Sequence, residues 1–275
     1  MRAVPALTAG AVWRARAWAL ALTLTFTFAL AAVAGLGSAV AWAQSGTDVR
    51  LAGPLLASPA AAQDLPAPPW RVVGLPGQSK PFTRFTAVTL DGQRVLRVVA
   101  QASYGNLVHG LAGLAMDGAD SARRLSWRWR LDEPNPAADL RRKEGDDSPI
   151  KVCALFDLPL SALPFGERQL LRLARQLAGE ALPSATVCYV WDNRLPPGTV
   201  LDNAYSRRIR MIVLRGAEAP LRSWLNEQRD VAADFLRLFG DEAQTVPPLL
   251  GVLIGADADN TQQRSLAFVG AISLE

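Results

Sequence analysis

Apolar and polar residues alternate strictly through residues 125–131: Leu125, Trp127, Trp129 and Leu131 fall on one side of an extended chain, and Ser126, Arg128 and Arg130 on the other. This is the pattern of a strand with one buried face. Residues 82–90 lead into Asp91-Gly92 and then into residues 95–102, which predicts a tight hairpin. The runs around Cys153 and Cys188 (residues 152–157 and 187–192) predict two more strands. Residues 209–214, with Ile209, Met211 and Val213 on one side, predict another, as do residues 249–254 and 266–274. Two stretches change period. Residues 167–178 carry Leu170, Leu171, Ala174 and Leu177 at helical spacing, with Pro183 beyond the end. Residues 229–239 place Val231, Phe235, Leu236 and Phe239 on one side and stop at Gly240. Many strands with turn signals and few helices predict an all-β chain, a jelly-roll or lectin-like antiparallel β-sandwich with one or two short helices.

The N-terminal region has no such period. Arg2, Arg14 and Arg16 precede an apolar stretch over residues 17–33, a Gly35-Leu36-Gly37-Ser38 break and Ala41-Trp42-Ala43. That order is an export signal, with cleavage after Ala43. The alternative is an uncleaved membrane anchor, since the stretch is long enough to span. Residues 44–69 are rich in Ala, Pro, Ser and Leu and predict a flexible tether. The expected organisation is therefore a signal peptide over 1–43, the tether over 44–69 and a β-sandwich domain over 70–275, in a periplasmic or secreted protein.

Removing the leader changes the charge. The whole chain has 29 basic and 25 acidic residues; three of the arginines lie in the leader, so the remainder carries about +1. A near-neutral domain lacks the cationic excess that nucleic acid demands. Contact with membrane is expected only through the export signal, if it stays uncut. The only two cysteines, Cys153 and Cys188, stand in similar strand settings. In an oxidising compartment they form a disulfide if the strands are neighbours, or they are two buried thiols acting as small apolar residues. The single histidine, His109, excludes multi-histidine metal centres and HExxH zinc sites. No phosphate-binding glycine loop and no nucleophile elbow occur after the leader.

The chemistry left open lies in three polar clusters: Lys143-Glu144-Gly145-Asp146-Asp147, the Asp257-Ala258-Asp259-Asn260-Thr261 run, and Tyr189, Trp191, Asp192 and Asn193 at a strand end. Asp257, Asp259 and Asn260 resemble the start of a calcium loop, but the glycine and acid an EF-hand needs further on are replaced by Gln262 and Phe268. What remains is a looser structural Ca²⁺ site on those three residues, against the alternative that the acids pair with Arg128, Arg130, Arg208 or Arg210. No other cofactor is expected. Asp257 and Asp259 would point the same way in an extended chain, about 6–7 Å apart, a spacing used by glycoside hydrolases. With Asp147 they are the candidate catalytic acids. Asp146 and Asp147, being adjacent, would point to opposite faces. Trp191 and Tyr189 share a strand face on which a sugar ring could stack, although core burial is the default for Trp191.

The residues also resemble the domain of unknown function 3047 family of exported bacterial proteins. The resemblance rests on Leu125-Ser126-Trp127-Arg128-Trp129-Arg130, Lys143-x-Gly145-Asp146-Asp147, Tyr189-Val190-Trp191, Arg229-Asp230-Val231 with Asp234-Phe235, Phe239-Gly240, Asp257-x-Asp259-Asn260-Thr261 and Phe268-Val269-Gly270. It implies a lectin-like sandwich and no particular activity, and the cysteines are not part of it. The expectation is a non-catalytic module binding a glycan or another cell-envelope ligand through Arg128, Arg130, Lys143, Asp146, Asp147, Tyr189, Trp191, Asp257, Asp259 and Asn260. A carbohydrate-active hydrolase and an envelope scaffold are the alternatives.

Overall fold

The computed structural model describes residues 54–56, 66, 68–75, 77–116, 123–178 and 182–275. The expected leader and most of the tether lie outside the described residues. Among the described residues no helix is long and apolar enough to cross a membrane.

Among the described residues thirteen strands and two α-helices follow in chain order: β1 (Pro54–Leu56), β2 (Trp70–Val73), β3 (Arg84–Leu90), β4 (Gln93–Gln101), β5 (Tyr104–Leu114), β6 (Arg124–Glu133), β7 (Ile150–Phe156), α1 (Phe165–Ala178), β8 (Ala185–Trp191), β9 (Val200–Asp202), β10 (Ile209–Arg215), β11 (Leu225–Asp230), α2 (Val231–Phe239), β12 (Leu249–Asp257) and β13 (Arg264–Leu274). They form two sheets. One has the order β11-β6-β13-β4-β3, with β1 added beside β13; the other runs β2-β5-β12-β7-β8-β10-β9. All named neighbours are antiparallel except β8 and β10, which run parallel. The β-rich sandwich expected from the alternation is the fold observed.

Period-two patterning places the core between the sheets. Trp127 and Trp129 of β6 face inward and meet Tyr189 and Trp191 of β8, with ring centroids 5.3 Å apart for Trp127–Tyr189 and 5.7 Å for Trp129–Trp191. Fully burying one large aromatic side chain contributes on the order of 2–3 kcal/mol. Helix α2 closes one part of this core by packing Phe235 at a tilt against Phe156 and stacking it on Phe239. Its start is fixed by Asp230, whose carboxylate accepts the amides of Ala232 and Ala233. Arg229, the residue before that cap, grips the buried Asp234 with two nitrogens at 2.9 and 2.6 Å, and the Tyr189 hydroxyl donates to the same carboxylate at 2.8 Å.

Several elements differ from expectation. Residues 54–56 belong to the segment expected to be a tether, yet they pair with Ile272 and Ser273 of β13 and bury Leu56. The β5 strand was not anticipated, because Gly105, Gly110 and Gly113 interrupt its apolar pattern. Nor was β11, a polar strand at a sheet edge. Gly240 ends α2 in a right-handed conformation, at φ −64° and ψ −16°, without the left-handed turn that glycine permits. In α1, Leu171 packs toward the core while Leu170 and Leu173 face solvent. The Asp91-Gly92 hairpin does take positive φ at both residues (53° and 73°), the twist a two-residue turn needs.

Cys153 and Cys188 sit directly opposite each other on β7 and β8 and are joined as a disulfide. The bond closes a loop of 35 residues, for which the chain-entropy model gives about 3–4 kcal/mol. Converting both cysteines to alanine is therefore expected to lower unfolding stability by about that amount, as measured by urea denaturation. A change well under 1 kcal/mol would mean that the ladder alone sets the stability of this strand pair.

Candidate functional site

The seven-stranded sheet is apolar on both faces, and this creates the site. On β7, Ile150, Val152, Ala154 and Phe156 face the core, so the alternating positions Lys151, Cys153 and Leu155 face outward. Neighbouring strands contribute Val108, Cys188, Met211 and Leu253 to the same outer face. Together they floor an open groove of about 620 Å³.

Polar side chains gather where β12 ends. Asp257, its last residue, accepts the backbone amide of Ser148 at 2.6 Å and the ammonium of Lys151 at 2.6 Å. Ala258 turns inward, and Asp259 comes back to the groove, where Lys80 donates to it at 2.5 Å. Asp147 stands behind them, fully buried. It accepts the amides of Asn260 (3.1 Å) and Thr261 (2.8 Å) and the Thr261 hydroxyl (2.5 Å). Its neighbour Asp146 lines the groove instead and accepts from Asn203 at 2.5 Å. The backbone carbonyl of Asp146 accepts from the side chain of Asn260 at 2.9 Å. The Tyr205 hydroxyl lies 2.9 Å from the Lys143 carbonyl and 3.1 Å from Asn260 Oδ1, two acceptors for its single proton.

Asn106 completes this end. It is 8% exposed; its Nδ2 donates to the Tyr104 hydroxyl at 3.1 Å, and its Oδ1 meets no donor. Beside it a Cβ at position 255 would strike Asn106 Oδ1, so any larger residue there would have to displace that side chain.

Burial dominates the electrostatics of the site. Asp146 has no cation in direct contact. Burial pushes its carboxyl up to about 6, helped by Asp257 and Asp147 and opposed by Lys151 and Asn203. Burial also disfavours the charge on Lys151, but Asp257 outweighs it and holds the ammonium protonated above the ordinary lysine value. The hydrogen bond that Lys80 donates to Asp259 likewise raises the lysine.

The expected site residues are thus divided. Asp146, Asp257, Asp259 and Asn260 line one groove. Lys143 stands at its rim, with its ammonium 5.5 Å from the Tyr205 ring centre. Asp147 is a fully buried clasp without access to the groove. The other expected residues lie away from this groove. Arg128 and Arg130 lie on the outer face of the other sheet, where Arg128 stacks on Trp224 at 4.7 Å and Arg130 pairs with Asp132 and Asp91. Tyr189 and Trp191 are core residues, because alternation along β8 points them inward with Val187. The looser calcium site on Asp257, Asp259 and Asn260 also fails. Lysine ammoniums occupy both carboxylates, and among the described residues no three carboxylate, imidazole or thiol groups are arranged to hold a metal. His109 faces away from the groove and packs edge-on against Trp70 at 5.0 Å.

Lys80, Lys151, Asn106, Asn203 and Tyr205 were not anticipated. Lys151 had a visible signal, a lone charge inside the apolar run Ile150–Phe156. The others lie on turns and strands distant in sequence, and no local pattern points to them.

Fold and groove together define a β-sandwich carrying an open cleft on the outer face of one sheet. The chain belongs to the family described as protein of unknown function (DUF3047), whose model matches residues 68–273. Among curated proteins none matches it significantly. Among solved structures it is similar to an endoglucanase 3 of family GH12 from Trichoderma harzianum, at 8% identity over 72% of this chain and 84% of that chain, with a TM-score of 0.39. It is also similar to the xyloglucanase domain of NopAA, a type three effector from Sinorhizobium fredii solved with cellobiose. That match has 7% identity over 75% of this chain and 97% of that chain, with a TM-score of 0.34.

Asp146 makes a testable link between site and stability. The folded carboxyl keeps its proton up to about pH 6, whereas an unshifted one has a value of 3.8. The stability it contributes is therefore fully present at low pH and is lost as pH rises from about 4 through 6. Asp146→Asn keeps an acceptor for Asn203 and removes the charge. At pH 7.5 the variant is expected to be more stable than the parent by about 1–3 kcal/mol, with the difference vanishing near pH 4. Urea unfolding at both pH values measures this.

Proposed function

We propose that the protein is a binding module of the cell envelope or its surroundings, exported by the leader over residues 1–43, and that its groove holds an extended glycan. The observation that carries this reading is the groove itself: an aliphatic floor ending in a cluster of carboxylates, amides and a tyrosine hydroxyl. A sugar chain presents the complementary surface, with C–H faces for the floor and hydroxyl edges for the acceptors. Carboxylates take such hydroxyls in strong charge-assisted hydrogen bonds. Tyr205, well exposed and held by its hydroxyl, offers a ring at the mouth. The disulfide between Cys153 and Cys188 fits an oxidising compartment. The test is a glycan array with calorimetry on the best responders. Leu253→Trp, which fills the floor, is expected to weaken binding about tenfold or more, while Arg130→Ala on the opposite sheet leaves it unchanged. Binding that ignores Leu253→Trp would place the site elsewhere.

A second reading is favoured by one observation, the Asp146 carboxyl raised to about 6 next to the Asp257–Lys151 pair. A carboxylic acid that is still largely protonated at mildly acidic pH, with a second carboxylate close by, is the equipment of a glycoside hydrolase. In that case product release from a polysaccharide declines as pH rises through about 6 and is lost in Asp146→Asn. No released sugar from any polysaccharide that the protein binds would leave the binding module alone.

A further inference from the structure

Donors and acceptors at the head of the groove do not balance. Asp146, Asp257 and Asp259 all line it, so three carboxylates meet two lysines, Lys80 and Lys151, with Asp147 buried directly behind. Each lysine is taken: Lys80 by Asp259 and Lys151 by Asp257. Asp147 is satisfied by backbone amides and hydroxyl or amide side chains. Asp146 receives one neutral amide, from Asn203, and no cation. A buried carboxylate left so is costly unless something supplies positive charge. A second, independent observation points the same way. Asn106 is more than nine-tenths buried on the groove floor, and its Oδ1 has no donor. The site thus lacks hydrogen-bond donors and positive charge together. Lys143 does not supply them, since its ammonium sits over the Tyr205 ring at the rim. Arg71 is aligned with Val108, further along the floor.

Building on the glycan reading above, we propose that the groove selects glycans bearing a free amine, with the protonated amino group of an amino sugar seated against Asp146. An ammonium brings three donors and one positive charge, which is what this end of the groove is short of. Neutral hydroxyls bring donors without charge, and an acetylated amine brings one donor and no charge. The elevated Asp146 carboxyl is the expected signature of an acidic pocket missing its counter-ion. The groups facing it are Lys151, Asp257, Asp147, Asp259, Lys80 and Tyr205. Of these the lysines are held protonated, and burial raises the Asp257 carboxyl as it raises that of Asp146, so the change in charge at this end of the groove is carried by carboxyls and not by the lysines.

Calorimetry with three matched tetrasaccharides on the full exported chain tests this: a deacetylated chito-tetraose, its N-acetylated form and cello-tetraose. The amine form is expected to bind at pH 7 about tenfold or more tightly than either neutral form, with the preference shrinking as pH falls below about 6. In Asp146→Asn the three ligands are expected to bind alike. The urea test above checks that this variant keeps its fold, so that the result reports on recognition. Equal binding of all three by the parent protein would overturn the amine proposal and leave the glycan groove standing. Failure of all three, with no response from any glycan on the array, would overturn both.

Discussion

One buried carboxylate holds the head of the groove in place. Asp147 has no exposed surface and no cation in contact, yet three donors from the Asn260–Thr261 turn converge on it. Asn135 adds a contact to the Thr261 hydroxyl at 2.9 Å, bringing in the chain just after β6. These bonds join the Lys143–Gly145 turn region, which precedes β7, to the turn that follows β12, and β7 and β12 are themselves hydrogen-bonded neighbours. Satisfying a buried charge takes several donors at once, and breaking such a set leaves the charge stranded. The groove-lining carboxylates at this end flank that clasp: Asp146 before it in the chain, Asp257 at the end of β12 and Asp259 in the turn beyond. Gly145 is part of the same arrangement, since a Cβ there would lie 2.9 Å from the Asp139 backbone nitrogen.

How much of this was legible in the sequence depends on which physical signal each part leaves. The strict alternation of β6 gave its buried face directly, and the inward tryptophans are where that pattern puts them. The strands β7 and β8 are buried at nearly every position, so alternation could not say which face was core and which was groove. That ambiguity misplaced Tyr189 and Trp191. Arg128 and Arg130 were assigned to the right face of their strand, but a sandwich has two outer faces, and the sequence does not say on which of them a site will form. The KxGDD and DxDNT pieces are adjacent in space because β7 and β12 pair, a long-range fact no local window contains. Lys80 and Tyr205 are the extreme case: each reaches the site from a turn far away in the chain.

An antiparallel sheet in a sandwich ordinarily turns a polar face to water. Here the outer face carries Val108, Leu155, Met211, Leu253 and a disulfide, flanked by Asp–Lys pairs. The same strands thus serve two surfaces of unequal purpose. The inner one is filled by aromatic rings in contact; the outer one is aliphatic and open. Core packing and open groove are separated across the thickness of a single sheet, and Asp146, which costs stability when ionised, stands on the groove side.

The parallel pairing of β8 with β10 has a consequence for how such a surface diversifies. Two strands running the same way cannot be joined by a tight reversal, so the chain must detour, and it does so through β9 at the sheet edge before returning. The returning bend carries Asn203 and Tyr205, and Asn203 shapes it by accepting the amides of Tyr205 and Ser206. A connection demanded by strand direction has become a wall of the cleft. The side chain of Tyr205 stands outside the β8–β10 ladder, so strand pairing leaves its identity open, whereas Asn203 is bound to the shape of the bend itself.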